Sequence, residues 1–109
     1  MAQAQTEKMI AIGKRGKYKK LDKLLTSKKA DVRAAAAIGM GYVDTDEACT
    51  RLITALRDPD ETVVLAVISA LGNMRFASRS IEHLRRVIGT RGADVDKACA
   101  DAVRMIESH

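Results

Sequence analysis

One helical stripe is written three times in this chain, and that repetition limits the possible folds more than any other feature. Between Glu61 and Met74 the apolar residues Val63, Ala66, Val67, Ala70, Leu71 and Met74 fall at steps 0, 3, 4, 7, 8 and 11, the spacing of one face of an α-helix. The same stripe stands 31 residues earlier as Val32, Ala35, Ala36, Gly39, Met40 and Val43, and 32 residues later as Val95, Ala98, Cys99, Ala102, Val103 and Ile106. Helices written to one pattern at a fixed interval bury their apolar faces by stacking on one another.

A second helix type repeats with the same offsets. Tyr18, Leu21, Leu24 and Leu25 face inward on a helix over Lys17–Thr26, followed by Cys49, Leu52, Ala55 and Leu56, then by Ile81, Leu84, Val87 and Ile88. Seven residues separate Leu25 from Val32, Leu56 from Val63, and Ile88 from Val95, so the hairpin within each unit is constant. The single extra residue lies between units, among Arg75, Phe76, Ala77 and Ser78. Residues Met1 to Gly13 match the second helix type: Met1, Ala4, Met9 and Ile12 hold stripe positions, with Gln5 and Lys8 in the other two. This reads as half a unit capping the stack. Expected boundaries are 1–16 for that half repeat, then 17–43, 44–75 and 76–109 for three full units of one domain. Ser27, Asp58 and Thr90 are equivalent and are expected as N-caps of the second helices, with Pro59 at N1 and Glu61 at N3 in the middle unit. Asp44 with Glu47 is expected to open the middle unit's first helix. The last helix is expected over Ala93–Glu107 with a polar outer face.

Asp31-Val32-Arg33 followed by AAAAIGMG, and Asp58-Pro59-Asp60 followed by VVLAVISALG, resemble HEAT repeats, most closely the short bacterial-type class also found in phycobilisome lyases. The resemblance covers nearly the whole chain. It implies an all-α fold, a short right-handed α-solenoid of about three helix pairs preceded by a half repeat, about seven helices in all. First helices would lie on the convex side and second helices on the concave side. The family's Arg after the first Val is present only as Arg33; Val64 and Asp96 stand at its other positions. Gly41 and Gly72 end two second helices where the last has Arg104. These departures put the family's buried polar ladder in question. An accessory role in a phycobilin-lyase-like or other larger complex is implied by resemblance alone.

With two Tyr, one Phe and no Trp in 109 residues, the core must be aliphatic and Ala-rich. Small residues such as Gly39 and Gly41 then serve close helix approach. Cys49 and Cys99 lie on core faces and are read as buried reduced thiols. No apolar run is long enough to span a bilayer and no signal-peptide pattern precedes the domain, so no membrane contact and a cytoplasmic location are expected.

The apolar surplus points to a partner. Beyond their stripes the second helices show Arg33, Ala34 and Ala37, then Val64, Leu65 and Ile68, then Lys97, Asp101 and Arg104. A central apolar set, Val64, Leu65 and Ile68, rimmed by charge is the anatomy of a protein-binding groove. The competing reading buries the same residues between neighbouring helices. The leading functional expectation is a non-enzymatic adaptor binding another protein on the concave face, with homo-oligomerisation also open.

Charge supplies the alternative. Net charge is +5, but residues 1–33 carry ten Lys/Arg against three Asp/Glu, and the remainder nine against eleven. Lys14, Arg15, Lys17, Lys19, Lys20, Lys23 and Arg51 could together attract nucleic acid or another polyanion through phosphate contacts. Lys20, Arg51 and His83 are equivalent and are expected to form a convex column. No aromatic stacking surface accompanies them, and Asp22 and Glu82 interrupt the column, so a solvated helix face is the simpler reading. Gly13-Lys14-Arg15-Gly16 has the spacing of the phosphate-clamping loop of KH domains without the strands that module needs. No Cys/His cluster has metal-ligand spacing and no catalytic grouping stands out, so neither metal nor cofactor is expected.

Overall fold

Each of the three stripes is one α-helix. The structure, a computed structural model, describes residues 2–75 and 77–109. Among these, seven α-helices follow one another: α1 (Ala2–Lys14), α2 (Tyr18–Leu24), α3 (Ala30–Val43), α4 (Asp46–Ala55), α5 (Glu61–Asn73), α6 (Ile81–Val87) and α7 (Ala93–Ser108), with a 3-10 turn at Ser78–Ser80 before α6. Met1 and Phe76, assigned to a stripe and to the inter-unit joint, lie outside the described residues.

The stripe helices form an inner row in which α1 packs on α3, α3 on α5 and α5 on α7. The shorter helices α2, α4 and α6 form an outer row, each against its hairpin partner. Between the rows runs one core. Val63, Val67 and Leu71 of α5 and Met74, the extended residue that follows it, are fully buried in it, with Met40 from α3, Val95 and Cys99 from α7, and Leu21, Leu52 and Leu84 from the outer row. Each fully buried large aliphatic side chain stabilises by about 1.5–3 kcal/mol. Met9 and Ile12 complete the core from α1, whereas Ala4 and Lys8 are exposed. Ile88, expected to face inward, is 43% exposed. α6 has ended at Val87, and the extended ψ of 130° at Ile88 turns it out of the helix.

The inner helices touch backbone to backbone. A Cβ on Gly13 would lie 2.0 Å from the Gly39 carbonyl oxygen, and one on Gly39 would lie 2.4 Å from the Met9 carbonyl oxygen. A Cβ on Gly41 would meet Ala70 at 3.0 Å, and one on Gly72 would meet Ala102 at 3.4 Å. The small residues that weaken these helices in isolation thus set the spacing of the row.

The helix starts differ from expectation. α5 is N-capped by Asp60, whose carboxylate accepts from the Thr62 N–H at 2.8 Å, so Glu61 and not Pro59 is its first residue. Asp58 instead accepts from the Asp60 N–H at 2.9 Å, and Ser27 from the Lys29 N–H at 3.2 Å. Both close a tight turn just before the helix, because a short polar side chain reaches its own backbone two residues on. Thr90 donates back to the Val87 carbonyl and caps nothing. α4 is capped by Thr45, accepting from the Ala48 N–H at 3.2 Å. Asp44, with φ of +53°, ends α3 instead.

Arginines tie one unit to the next. Arg51 pairs with Asp22. Arg79 donates to the Asp46 carboxylate at 3.0 Å and to its carbonyl at 2.9 Å, and the Arg75 N–H donates to Asp44 at 3.1 Å. At the loop end Arg33 reaches forward to Asp58 at 2.9 Å, and Arg91 reaches back to the carbonyls of Asp58 (2.6 Å) and Pro59 (3.1 Å). A polar ladder does exist, built largely from residues outside the position held by Arg33, Val64 and Asp96.

Candidate functional site

α5 and α7 run side by side in the inner row, and the groove between them is largely apolar with polar residues at its edges. Leu65, Ser69 and Asn73 of α5 project one helical turn apart, as do Ala98, Asp101 and Met105 of α7. Between them, with Ile68, Gly72 and Ala102, they line a groove of about 180 Å³. A dry cavity of about 150 Å³ accepts a benzene ring, so the groove has room for one large side chain. Gly72 and Ala102 leave room at its floor because neither carries a side chain beyond Cβ. Met105, 43% exposed, forms one wall, and its thioether adapts to varied shapes. His109 comes within 3.3 Å of the Gly72 carbonyl at one end.

Asp101 holds the charge at the rim. It accepts from Lys97 at 2.9 Å and pairs also with Arg104. The Lys97 hydrogen bond leads in lowering its carboxyl below the usual range, joined by the charges of Lys97 and Arg104 and opposed by desolvation. The carboxylate therefore stays ionised beside an apolar surface.

The residues expected to meet a partner thus separate into two sets. Leu65, Lys97, Asp101 and Arg104 stand in or beside the groove, Leu65 half-buried. Val64 and Ile68 are buried, with Ile68 reaching the groove only as floor. Ala34 and Ala37 are buried within α3. Arg33 lies at the loop end in its pair with Asp58, only 16% exposed. The middle helix is apolar almost all round because it has inner-row neighbours on both sides. Met105, Ala98, Ser69 and Asn73 were missed; Met105, an off-stripe apolar residue on a charged helix, was the signal that could have found one of them.

The basic residues are spread out. Lys17, Lys19 and Lys20 surround an open cleft at the α1–α2 turn together with Gly16, Tyr18 and Glu47. Burial raises the Tyr18 hydroxyl pKa above its usual value, with Asp22 and Glu47 adding to the shift. Lys14 lies 5.5 Å from the Tyr42 ring centroid, and Arg15 and Lys23 are exposed. Arg51 is engaged with Asp22, and His83 faces a different groove, so Lys20, Arg51 and His83 do not act as one charged column.

Cys49 and Cys99 are free and wholly buried, and desolvation raises both thiol pKa values. Among the described residues no group of His, Cys, Asp and Glu is arranged to hold a metal ion, and no helix is long and apolar enough to cross a membrane. Compared with models of known families, residues 18–104 match HEAT repeats, from the start of α2 into α7. A search of curated proteins finds no match.

Proposed function

The chain belongs to the HEAT-repeat family, and we propose that it is a non-enzymatic scaffold that holds a partner protein against the α5–α7 groove. HEAT repeats generally mediate protein–protein interaction. The observation that carries the proposal is an apolar groove sized for one side chain and rimmed by the Lys97–Asp101–Arg104 cluster. Interfaces concentrate their energy in one or two apolar anchors surrounded by polar contacts that exclude water. A Leu, Met or aromatic side chain of the partner supplies the anchor here, and charged groups beside it meet the rim.

Leu65→Gln with Met105→Glu tests this while leaving the fully buried positions alone. The intact protein and the double variant are used in parallel to capture proteins from lysate. Any captured protein is then purified and titrated against both forms, with helicity followed by circular dichroism. A partner whose affinity falls at least about tenfold in a variant of unchanged helicity supports the proposal. A partner held equally by both forms places binding elsewhere and overturns it.

A further inference from the structure

The outer row carries a second groove, and the repeat itself shows why it stands open. Between α2 and α4, Arg51 is neutralised by Asp22. One unit on, the equivalent of Arg51 is His83 and the equivalent of Asp22 is Ile53. The acid has gone, and the cations have multiplied. The groove between α4 and α6, of about 360 Å³, is lined by Arg57, His83, Arg86 and Arg91 over an apolar floor of Ile53, Leu56 and Val87, with no Asp or Glu. The side chains of Arg57, His83 and Arg86 have no hydrogen-bond or ion-pair partner among the described residues. Arg91 is held in place by the carbonyls of Asp58 and Pro59. The neighbouring acids are engaged: Asp58 with Arg33, and Glu82 with Arg85.

We propose that this groove binds an acidic peptide segment, in which carboxylates flank an apolar side chain and take the place that Asp22 fills one unit earlier. Guanidinium groups match carboxylates in planar, two-pronged hydrogen bonds and lose their hydration more readily than ammonium groups do. The aliphatic floor distinguishes the site from a simple phosphate-attracting surface, because it rewards a Leu- or Val-sized residue between the acids. Among the described residues no aromatic side chain lines it, so single-stranded nucleic acid finds charge there but no described ring on which to stack its bases. The site is separate from the α5–α7 groove, and its test is independent of the scaffold proposal.

The probe is a fluorescein-labelled decapeptide of glutamates with one central leucine, followed by fluorescence anisotropy. Its all-glutamine counterpart and a labelled single-stranded oligodeoxynucleotide are run beside it. Expected is binding of the acidic peptide and not the glutamine peptide, weakened at least about tenfold by Arg57→Glu with Arg86→Glu. Ile53→Asp, which restores the missing internal acid, is expected to weaken binding as well. Circular dichroism confirms that each variant remains folded. Absence of peptide binding at millimolar concentration overturns the proposal, as does binding unchanged in the Arg57/Arg86 variant. Tighter binding of the oligonucleotide, lost in that same variant, replaces the peptide with nucleic acid.

Discussion

Arg33, Val64 and Asp96 occupy one repeat position and solve one problem in three ways. Arg33 donates to the Ser27 carbonyl at 2.8 Å, Asp96 accepts from the Gly89 N–H at 2.9 Å, and Val64 is buried. In the middle unit the loop is ordered by Asp58, which Arg33 and Arg91 approach from either side. Desolvation pushes the Asp58 carboxyl upward, but the Arg33 hydrogen bond, the Asp60 N–H and the charges of Arg33 and Arg91 outweigh it and hold the pKa below the usual value. Its stabilising effect is therefore complete above the unfolded carboxylate pKa of about 3.9. It is lost as pH falls through the lower folded value. Asp58→Ala should cost about 1–2 kcal/mol at neutral pH by urea denaturation, and Asp58→Asn should flatten the acid limb of stability against pH. An unchanged acid limb would assign that limb to other carboxylates. The cysteines offer a second check: a thiol reagent should modify native Cys49 and Cys99 only as fast as the protein opens, since both are buried and hard to ionise. The residue types were legible in the sequence at this scale. Their partners, 25 to 33 positions away, were not, because a salt bridge leaves no periodic trace.

At the scale of the helix, the stripes were readable and the ends were not. Apolar spacing defines a buried face over many residues, so α3, α5 and α7 were evident. A cap depends on a single side chain: Asp58 was expected to cap α5 with Pro59 at N1, and the structure moves the start two residues on, to Asp60. The groove was harder still. Leu65, Val64 and Ile68 are alike in sequence, and only the crossing of α5 with its neighbours leaves one half-buried and the others enclosed. Helix contact also inverts ordinary propensity. Alanine is favoured over glycine by about 1 kcal/mol within a helix, yet Gly39→Ala would put a Cβ 2.4 Å from a carbonyl oxygen on α1. We expect a net loss of about 1–3 kcal/mol there. Gly72→Ala meets Ala102 at an ordinary 3.4 Å and should be neutral or slightly stabilising. Thermal unfolding of the two variants decides the matter; equal shifts would mean that the close contact sets nothing.

For the whole molecule, α1 packs on α3 at one end of the inner row. It lays Met9 and Ile12 against α3 and leaves a mostly polar surface outward. Removing residues 1–16 should lower stability by about 3 kcal/mol or more, the burial of those two side chains. It should also drive association through the uncovered α3, visible as a mass increase in light scattering. A monomer of unchanged melting temperature would show that α3 needs no cover. The other end carries the charged face of α7 and the Arg85–Glu107 pair. The stack measures only 30 × 26 × 20 Å, and the grooves described on it are open ones. The two rows are also joined unequally. The inner helices approach most closely at glycine and alanine, whereas the outer helices are linked by long arginine arms. We expect the molecule to behave like a book bound along its inner edge, with that edge the stiffer spine and the outer helices the leaves. Salt that screens the Arg–Asp clasps is therefore expected to speed amide exchange in α2, α4 and α6 more than in α3 and α5 with helicity unchanged; equal protection at low and high salt would show that the clasps restrain nothing.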